Sequence, residues 1–168
     1  MRKKGFFRGS KKANAITDTI MVIVFLFGFA MFSTTAYVIF NSVQADLIES
    51  VDGAEAKQVA TDIGTNYPLW FDGAFIMAFI LLWLFVLGAS LFVETHPLFF
   101  IIAILMFVFI IIAAAIISNS FAEIGEEQEY QAIQSDFAKT FYIMNHLVEF
   151  CMVILFSVGG VLYGKSKL

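Results

Sequence analysis

Four long runs of apolar residues, separated by polar and charged segments, dominate the pattern of the chain. A bilayer core of about 30 Å needs roughly 20 consecutive apolar residues in a helix, and each run has about that length. The second and third runs contain no ionisable side chain, so burial as helices in lipid is the reading that satisfies their backbone groups. The pattern predicts four transmembrane helices, with three as the alternative. Their approximate limits are 19–40, 74–93, 98–117 and 141–163.

The first run also resembles a secretory signal peptide. A basic segment precedes it, and the small residues of Thr34-Thr35-Ala36 are typical of a cleavage site. The apolar stretch continues past that point to Phe40, which makes it long enough to span a bilayer. We therefore expect it to be retained as a transmembrane helix, and cleavage is the alternative.

The first two connections predict different structures. Glu94 to Pro97 joins the second and third runs, and this link is short enough to force an antiparallel hairpin. Pro97 suits the first position of a helix, where its missing N–H has no intrahelical partner to lose. In the connection from Asn41 to Phe71, the apolar residues have helical spacing, which predicts surface helices that end near Gly53 or Gly64.

The last connection runs from Ser118 to Thr140 and carries many acids. Here we expect the third helix to continue by a turn or two to Gly125, because glycine is favoured just after a helix ends. The chain is then expected to re-enter a helix capped by Ser135.

Composition supports the same class of protein. Apolar residues make up 60% of the 168 and charged residues 14%, whereas soluble domains carry about 25% charged residues. One cysteine excludes an internal disulfide framework. The expected fold is all-α: a single domain, 1–168, forming an integral membrane four-helix bundle with short surface helices in its outer connections.

Basic residues predict the orientation, because Lys and Arg near span ends are held on the cytoplasmic side. The amino-terminal tail, residues 1–12, carries six of the ten Lys and Arg residues, and Lys165 and Lys167 follow the last span. With four spans, both termini are expected on the cytoplasmic side, opposite the acidic connections. The basic residues of the tail are Arg2, Lys3, Lys4, Arg8, Lys11 and Lys12.

This basic tail also predicts a partner. Interleaved with Phe6 and Phe7, its cations suit anionic lipid headgroups, and each cation contributes about 1 kcal/mol near the surface. Nucleic acid carries the same charge and is the less favoured alternative. The acidic face opposite is read as a solvated surface.

Polar residues inside the spans are the candidate functional groups. Asn145, His146 and Glu149 fall within a turn and a half of the fourth run, and the last two share a helix face. Ser33 and Thr34 interrupt the first run. Ionisable groups inside spans mark functional sites by default, although a hydrogen-bonded pair near a wet interface is the favoured interpretation here. Handling of protons or ions is the alternative.

Metal and enzyme chemistry have little support in the pattern. The two histidines, His96 and His146, are predicted at opposite faces of the membrane, too far apart to share a haem. The middle spans supply no carboxylate for a di-iron site. Neither a phosphate-binding loop nor a nucleophile motif occurs in the sequence. We predict no catalytic, cofactor or metal site, and Cys151 is expected to be a packing residue.

Small residues at four-residue spacing predict close contacts between helices in lipid. Gly160 and Gly164 form one such pair, and Ala74 and Ala78 form a looser one. Glycine is common in spans for other reasons, so a purely compositional origin is the alternative.

Three stretches resemble small polytopic membrane proteins of tailless icosahedral phages that carry a lipid bilayer beneath the capsid. They are Glu-Thr-His-Pro-Leu-Phe-Phe at Glu94 to Phe100, the Ser118-Asn119 exit with its acidic segment, and Leu162-Tyr163-Gly164-Lys165. The resemblance covers about the last hundred residues and carries no functional residue over. It implies a non-enzymatic virion membrane component that organises lipid or contacts the underside of the capsid.

Two functions are therefore expected. The first is a structural, interaction-type membrane protein that packs with copies of itself or with other membrane or capsid subunits. The second is a small transport or pore-forming protein, including a phage lysis pore, in which Glu149, His146 and the Ser33 to Thr35 cluster meet.

Overall fold

The computed structural model describes residues 14–50, 53–91 and 97–165, and in these ranges the regular structure is entirely helical. The prediction of an all-α chain is confirmed, while the basic tail and the residues at 92–96 lie outside the described ranges. The helices are α1 (Asn14–Ser50), α2 (Ala54–Leu91), α3 (Pro97–Gly125), α4 (Gln128–Gln131), α5 (Ala138–Asn145) and α6 (Leu147–Lys165).

Helices α1 and α2 form a long antiparallel hairpin. The chain reverses at Gly53, whose φ of 139° is a backbone conformation that glycine adopts without strain. A helix end near Gly53 or Gly64 was predicted; α1 ends at Ser50, shortly before Gly53, whereas Gly64 lies inside α2. Separate surface helices are also absent from this described connection, because the two helices continue and cover one another.

Three described helices are long and apolar enough to cross a membrane, or four if one bent pair counts as a span. The bent pair joins α5 to α6 with a bend of 70°, in the region where the sequence predicted one span over 141–163. In the third helix, Pro97 is the first residue and Gly125 the last, as predicted. The candidate spans are Met21–Gln44, Ala54–Leu91, Leu105–Gly125 and the pair Ala138–Asn145 with Leu147–Val161.

The helices pack around one continuous core of apolar side chains. Phe29 of α1 stacks on Phe71 and Phe75 of α2, with ring centroids 6.1 and 6.2 Å apart. One turn further along α2, Phe79 meets Phe150 of α6 edge to face at 5.3 Å. Asp72 of α2 contacts Thr140 of α5, so α2 and the α5–α6 pair run in the same direction, and the described ends at Asn14 and Lys165 lie at one end of the molecule.

Two regions differ in what holds them together. We call residues 21–32, 73–91, 105–117 and 147–165 the apolar layer, because its helices meet through apolar side chains. We call residues 33–50, 53–72 and 118–146 the head, because its segments are joined by hydrogen bonds as well. The head lies at the end opposite Asn14 and Lys165.

Candidate functional site

The centre of the head is a carboxylate that holds the start of α5. Asp72 of α2 is only 5% exposed, and its Oδ1 accepts hydrogen bonds from the backbone N–H of Thr140 at 2.7 Å and from the Thr140 hydroxyl at 2.8 Å. Its Oδ2 accepts from the backbone N–H of Lys139 at 3.3 Å. The first N–H groups of a helix have no intrahelical acceptor, so Asp72 acts as the cap of α5 from a neighbouring helix.

This cap replaces the one expected from the local sequence. Ser135 was predicted to cap the helix, but α5 begins after Phe137, which makes no side-chain capping bond. The prediction for Ser135 is wrong because residues 132–137 form turns, so the helix begins after Phe137 and the N–H groups of its first turn, at Lys139 and Thr140, donate to Asp72 instead.

The other end of α5 is held in a complementary way. Ser118 of α3 is buried, and its hydroxyl lies 2.9 Å from the backbone oxygen of Met144 and 3.1 Å from that of Asn145. The last carbonyls of a helix lack an intrahelical donor, which the hydroxyl supplies here. Asp72 and Ser118 therefore fix the two ends of α5 between α2 and α3.

These contacts fix the position of the head relative to α6. Helix α6 has 19 residues, which gives a length of about 28 Å, close to the hydrocarbon thickness. Its upper end at Leu147 adjoins α5, and the 70° bend lays α5 across the top of the apolar layer. Asp72 and Ser118, which hold the two ends of α5, therefore lie at the level of Leu147, where α6 begins.

The hydroxyl cluster of α1 lies at this same level. Thr35 Oγ1 is 2.7 Å from the hydroxyl of Tyr130 in α4, and the Tyr67 hydroxyl donates to the backbone oxygen of Ser33 at 3.4 Å. Ser33 and Thr34 are buried, and their hydroxyls donate to carbonyls of their own helix, those of Phe29 and Ala30, at 2.7 and 2.8 Å. The cluster joins α1 to the head.

Above this level the head has an aromatic core. Tyr37 stacks on Tyr67 at 5.7 Å and meets Phe137 edge to face at 5.4 Å, while Tyr67 stacks on Phe71 at 4.2 Å. The hydroxyl of Tyr37 donates to the backbone oxygen of Gly64 at 3.1 Å. Buried tyrosines contribute apolar area and need a partner for the hydroxyl, and both requirements are met here.

The polar residues predicted in the fourth span lie at the bend between α5 and α6. His146 is the C-terminal cap residue of α5, and its Nδ1 is 2.9 Å from the backbone oxygen of Tyr142, whose ring lies against the imidazole. Asn145, His146 and Glu149 are all exposed. No hydrogen bond or ion pair among the described residues joins His146 to Glu149, and the 70° bend at His146 removes the single helix face they were expected to share.

The predicted small-residue pairs face different surroundings. Gly160, Gly164 and Ala74 are exposed, and a Cβ built on either glycine would have no atom within 4 Å. Ala78 is half-buried and packs against the core. Two other glycines of the described ranges make close contacts: a Cβ on Gly64 would meet the Gln44 side chain at 2.5 Å, and one on Gly125 would meet the Phe141 ring at 3.1 Å.

A cleft of about 30 Å³ lies between α1, α2, α3 and α6 and is lined by apolar side chains and Trp83. Pockets that bind small molecules have about 300–1,000 Å³. Cys151 is buried beside this cleft, in agreement with a packing role. In the described ranges, no three His, Cys, Asp or Glu side chains lie close enough to hold a metal ion.

Comparisons with protein-family models, with curated proteins and with solved structures found no match.

Sequence reasoning missed the two residues that organise the head. Asp72 was not singled out from the sequence, and Ser118 only marked the start of the last connection. A lone carboxylate between Phe71 and Gly73, where an apolar run begins, was the available signal. Its partner Thr140 is 68 residues away, and no local pattern identifies that pairing.

Proposed function

We propose that this chain is a structural, interaction-type integral membrane protein: a four-span bundle that organises the bilayer and packs with itself or with other subunits. Its helices are long and apolar enough to cross lipid, and the acidic head stands at the end away from the described termini. By the distribution of Lys and Arg, the termini face the cytoplasmic side.

One observation carries this proposal: the buried polar side chains that ion conduction would need are already hydrogen-bonded to other groups of the protein. The hydroxyls of Ser33 and Thr34 are bonded to their own helix, and that of Thr35 is bonded to Tyr130. The carboxylate of Asp72 is bonded to Thr140. Transport through lipid requires polar groups along a path, and these groups instead connect or complete helices.

The alternative is a small transport or pore-forming protein. His146 and Glu149 are exposed at the edge of the molecule, so in this alternative they would line a path between neighbouring copies. Their separation from the buried Ser33 and Thr34 favours the structural role, because the two groups do not meet within one copy.

Ion flux into liposomes distinguishes the two functions. We expect liposomes that contain the purified protein to be as tight to protons and K⁺ as empty ones. Flux that depends on the protein and is lost in Glu149→Gln would establish the transport function instead. Glu55→Gln is the matched control, because Glu55 is an exposed acid at the start of α2, far from the bend.

The resemblance to membrane proteins of icosahedral phages leads to a narrower proposal, that this chain is a component of a virion membrane. Its test is where the protein is found. Recovery in a purified particle at fixed stoichiometry to the capsid protein supports it, and recovery only in a host membrane contradicts it.

For the basic tail we propose contact with anionic headgroups. We expect a peptide of residues 1–12 to bind vesicles with anionic lipid and to release them as salt is raised. Salt-dependent binding to DNA, with no binding to the vesicles, would assign the tail to nucleic acid.

A further inference from the structure

The apolar layer contains a single carboxylate, and it is exposed on the outside of the molecule. The four segments of this layer include no Asp or Glu other than Glu149. Within the described ranges, no group of the chain forms a hydrogen bond or an ion pair with this carboxylate. An ionisable group on a membrane span is costly unless it is paired, so a partner from outside this copy is expected.

The depth of Glu149 restricts what that partner can be. Glu149 is the third residue of α6, about 3 Å below Leu147, where the helix begins at the outer edge of the hydrocarbon. The lipid groups next to this edge are ester and phosphate groups, whose oxygens accept hydrogen bonds. An ionised carboxylate also only accepts. These lipid oxygens therefore do not pair with Glu149, and its partner must supply a hydrogen.

His146 carries a complementary group at nearly the same depth. Its Nδ1 lies 2.9 Å from the backbone oxygen of Tyr142, and because a carbonyl oxygen only accepts, Nδ1 carries a hydrogen. The imidazole is exposed, and its Nε2 makes no hydrogen bond to the described residues. In the imidazolium form, Nε2 donates a charge-assisted hydrogen bond to a carboxylate, and the pair has no net charge.

Two copies inserted with the same orientation place these groups at matching depths. His146 precedes α6 and Glu149 lies three residues further on, so their depths differ by about 4–5 Å, which the two side chains can span. We propose that His146 of each copy pairs with Glu149 of the other across a two-fold axis along the membrane normal, the geometry of an isologous dimer. The inference rests on the proposed function, a protein that packs with itself, and it names the residues of the contact.

The face of α6 below Glu149 is open to a second copy. It continues at three- or four-residue spacing through Val153, Phe156, Gly160 and Gly164, all of them exposed. Phe156, at 79%, is the most exposed large apolar side chain of the described residues, and a Cβ on either glycine would have no atom within 4 Å. In lipid, small residues four apart allow helix backbones to approach. A helix that meets Glu149 can therefore follow α6 to its other end.

Lys139 is the competing cation closest to Glu149 along the chain. It is exposed, but it lies at the start of α5, whereas His146 follows the end of that helix. The helical rise separates the two positions by about 10 Å. His146 alone adjoins the face of α6 that carries Glu149, so the imidazole is the expected donor.

Mixing two variants tests the pair in the full-length protein. Glu149→Leu removes the acceptor, and His146→Phe removes the imidazole but keeps a ring beside Tyr142. Energy transfer between labelled copies in liposomes measures association. Each variant alone should associate about tenfold more weakly than the unaltered protein, because both pairs are lost. With the donor label on one variant and the acceptor label on the other, one pair forms again, and association should be only about threefold weaker.

Rescue on mixing is the result that a solvated or lipid-bound pair would not give. A mixture no tighter than the single variants, or single variants that associate like the unaltered protein, would overturn the proposal. Lys139→Met is the control and should change nothing, and weakening equal to that of His146→Phe would assign the contact to the lysine instead. A protein that stays monomeric and conducts no ions would overturn this inference alone, whereas ion flux would contradict the proposed function.

Disulfide cross-linking locates the contact on α6 independently. In a Cys151→Ala background, Val153→Cys and Ile112→Cys replace side chains that are each 50% exposed, one on α6 and one on α3. Val153 is six residues below Leu147, and Ile112 is six below Ser118, so both lie about 9 Å into the apolar layer. We expect Val153→Cys to form a covalent dimer at least about tenfold faster, because a disulfide needs Cβ atoms about 4 Å apart. Equal rates, faster reaction of Ile112→Cys, or no dimer would contradict the α6 contact.

Discussion

The apolar layer and the head are built from the same helices but are held together differently. In the apolar layer, hydroxyls such as those of Ser90 and Ser157 bond to carbonyls of their own helix, and contacts between helices are apolar. In the head, hydrogen bonds connect α1 to α4, α2 to α5 and α3 to α5. Directional contacts between segments are concentrated in the head.

This difference indicates where the arrangement of helices is determined. Apolar contacts in lipid tolerate sliding and rotation, because lipid tails are as apolar as the side chains they replace. A hydrogen bond to a buried group loses most of its free energy when its geometry changes. The head should therefore fix the register of the helices, while the apolar layer fills the space between them.

Removal of the Asp72 carboxylate should have the largest effect. Asp72→Ala leaves two backbone N–H groups and the Thr140 hydroxyl without their acceptor. We expect the free energy of unfolding to fall by about 3 kcal/mol, since each buried group left unpaired costs about 1 kcal/mol or more. Unfolding by a denaturing detergent in mixed micelles measures it.

Two variants sharpen this prediction. Asp72→Asn retains one acceptor oxygen and should lose about 1 kcal/mol, while Asp62→Ala removes an exposed acid of the same helix and should lose almost nothing. Hydrogen exchange at the amides of Lys139 and Thr140 should accelerate in Asp72→Ala. Equal stability of Asp72→Ala and Asp62→Ala would show that the head does not determine the register.

The second prediction compares a serine in each region. Ser118→Ala removes the donor to the carbonyls of Met144 and Asn145, and we expect a loss of about 1.5 kcal/mol. Ser157→Ala removes a hydroxyl that bonds only within its own helix, so it should change the free energy of unfolding by less than about 0.5 kcal/mol. The same detergent titration applies, and a larger loss in Ser157→Ala would reverse the comparison.

The sequence predicted the features that depend on local chemistry. A helix end near Gly53 was one of two predicted positions, and Pro97 and Gly125 bound α3 because of their helix-end preferences. The apolar runs gave the helical class and the candidate spans. Each of these follows from neighbouring residues alone.

The head could not be predicted in the same way. Asp72 and Thr140 are 68 positions apart, and Thr35 and Tyr130 are 95 apart. Which polar groups meet depends on how the helices pack, and an apolar pattern does not encode that packing. The bend at His146 was missed for the same reason, because the carbonyls freed there are satisfied by the distant Ser118.

The third prediction concerns the contact between α1 and α4. Thr35→Val and Tyr130→Phe each remove one partner of the 2.7 Å hydrogen bond. A double-mutant cycle should give a coupling free energy of about 1 kcal/mol, typical of a hydrogen bond between helices. The pair Thr34→Val and Tyr130→Phe is the control, because the Thr34 hydroxyl bonds to Ala30, and it should give no coupling. Coupling in both cycles would mean that the variants act through a general loosening of the head.

The smallest expected effect is the difference in the free energy of unfolding between alanine substitutions at two glycines of α2, Gly64 in the head and Gly73 in the apolar layer. Gly64→Ala places a methyl group 2.5 Å from the amide of Gln44, which must move and release the backbone oxygen of Ala60. That loss, about 1 kcal/mol, offsets the similar gain that alanine gives to a helix interior. Gly73→Ala meets no neighbour and should keep the gain, about 0.5–1 kcal/mol. An equal gain in the free energy of unfolding for Gly64→Ala would mean that the α1–α2 hairpin in the head is packed loosely enough to admit a methyl group. The register of the helices would then depend on Asp72 and Ser118 and not on this contact.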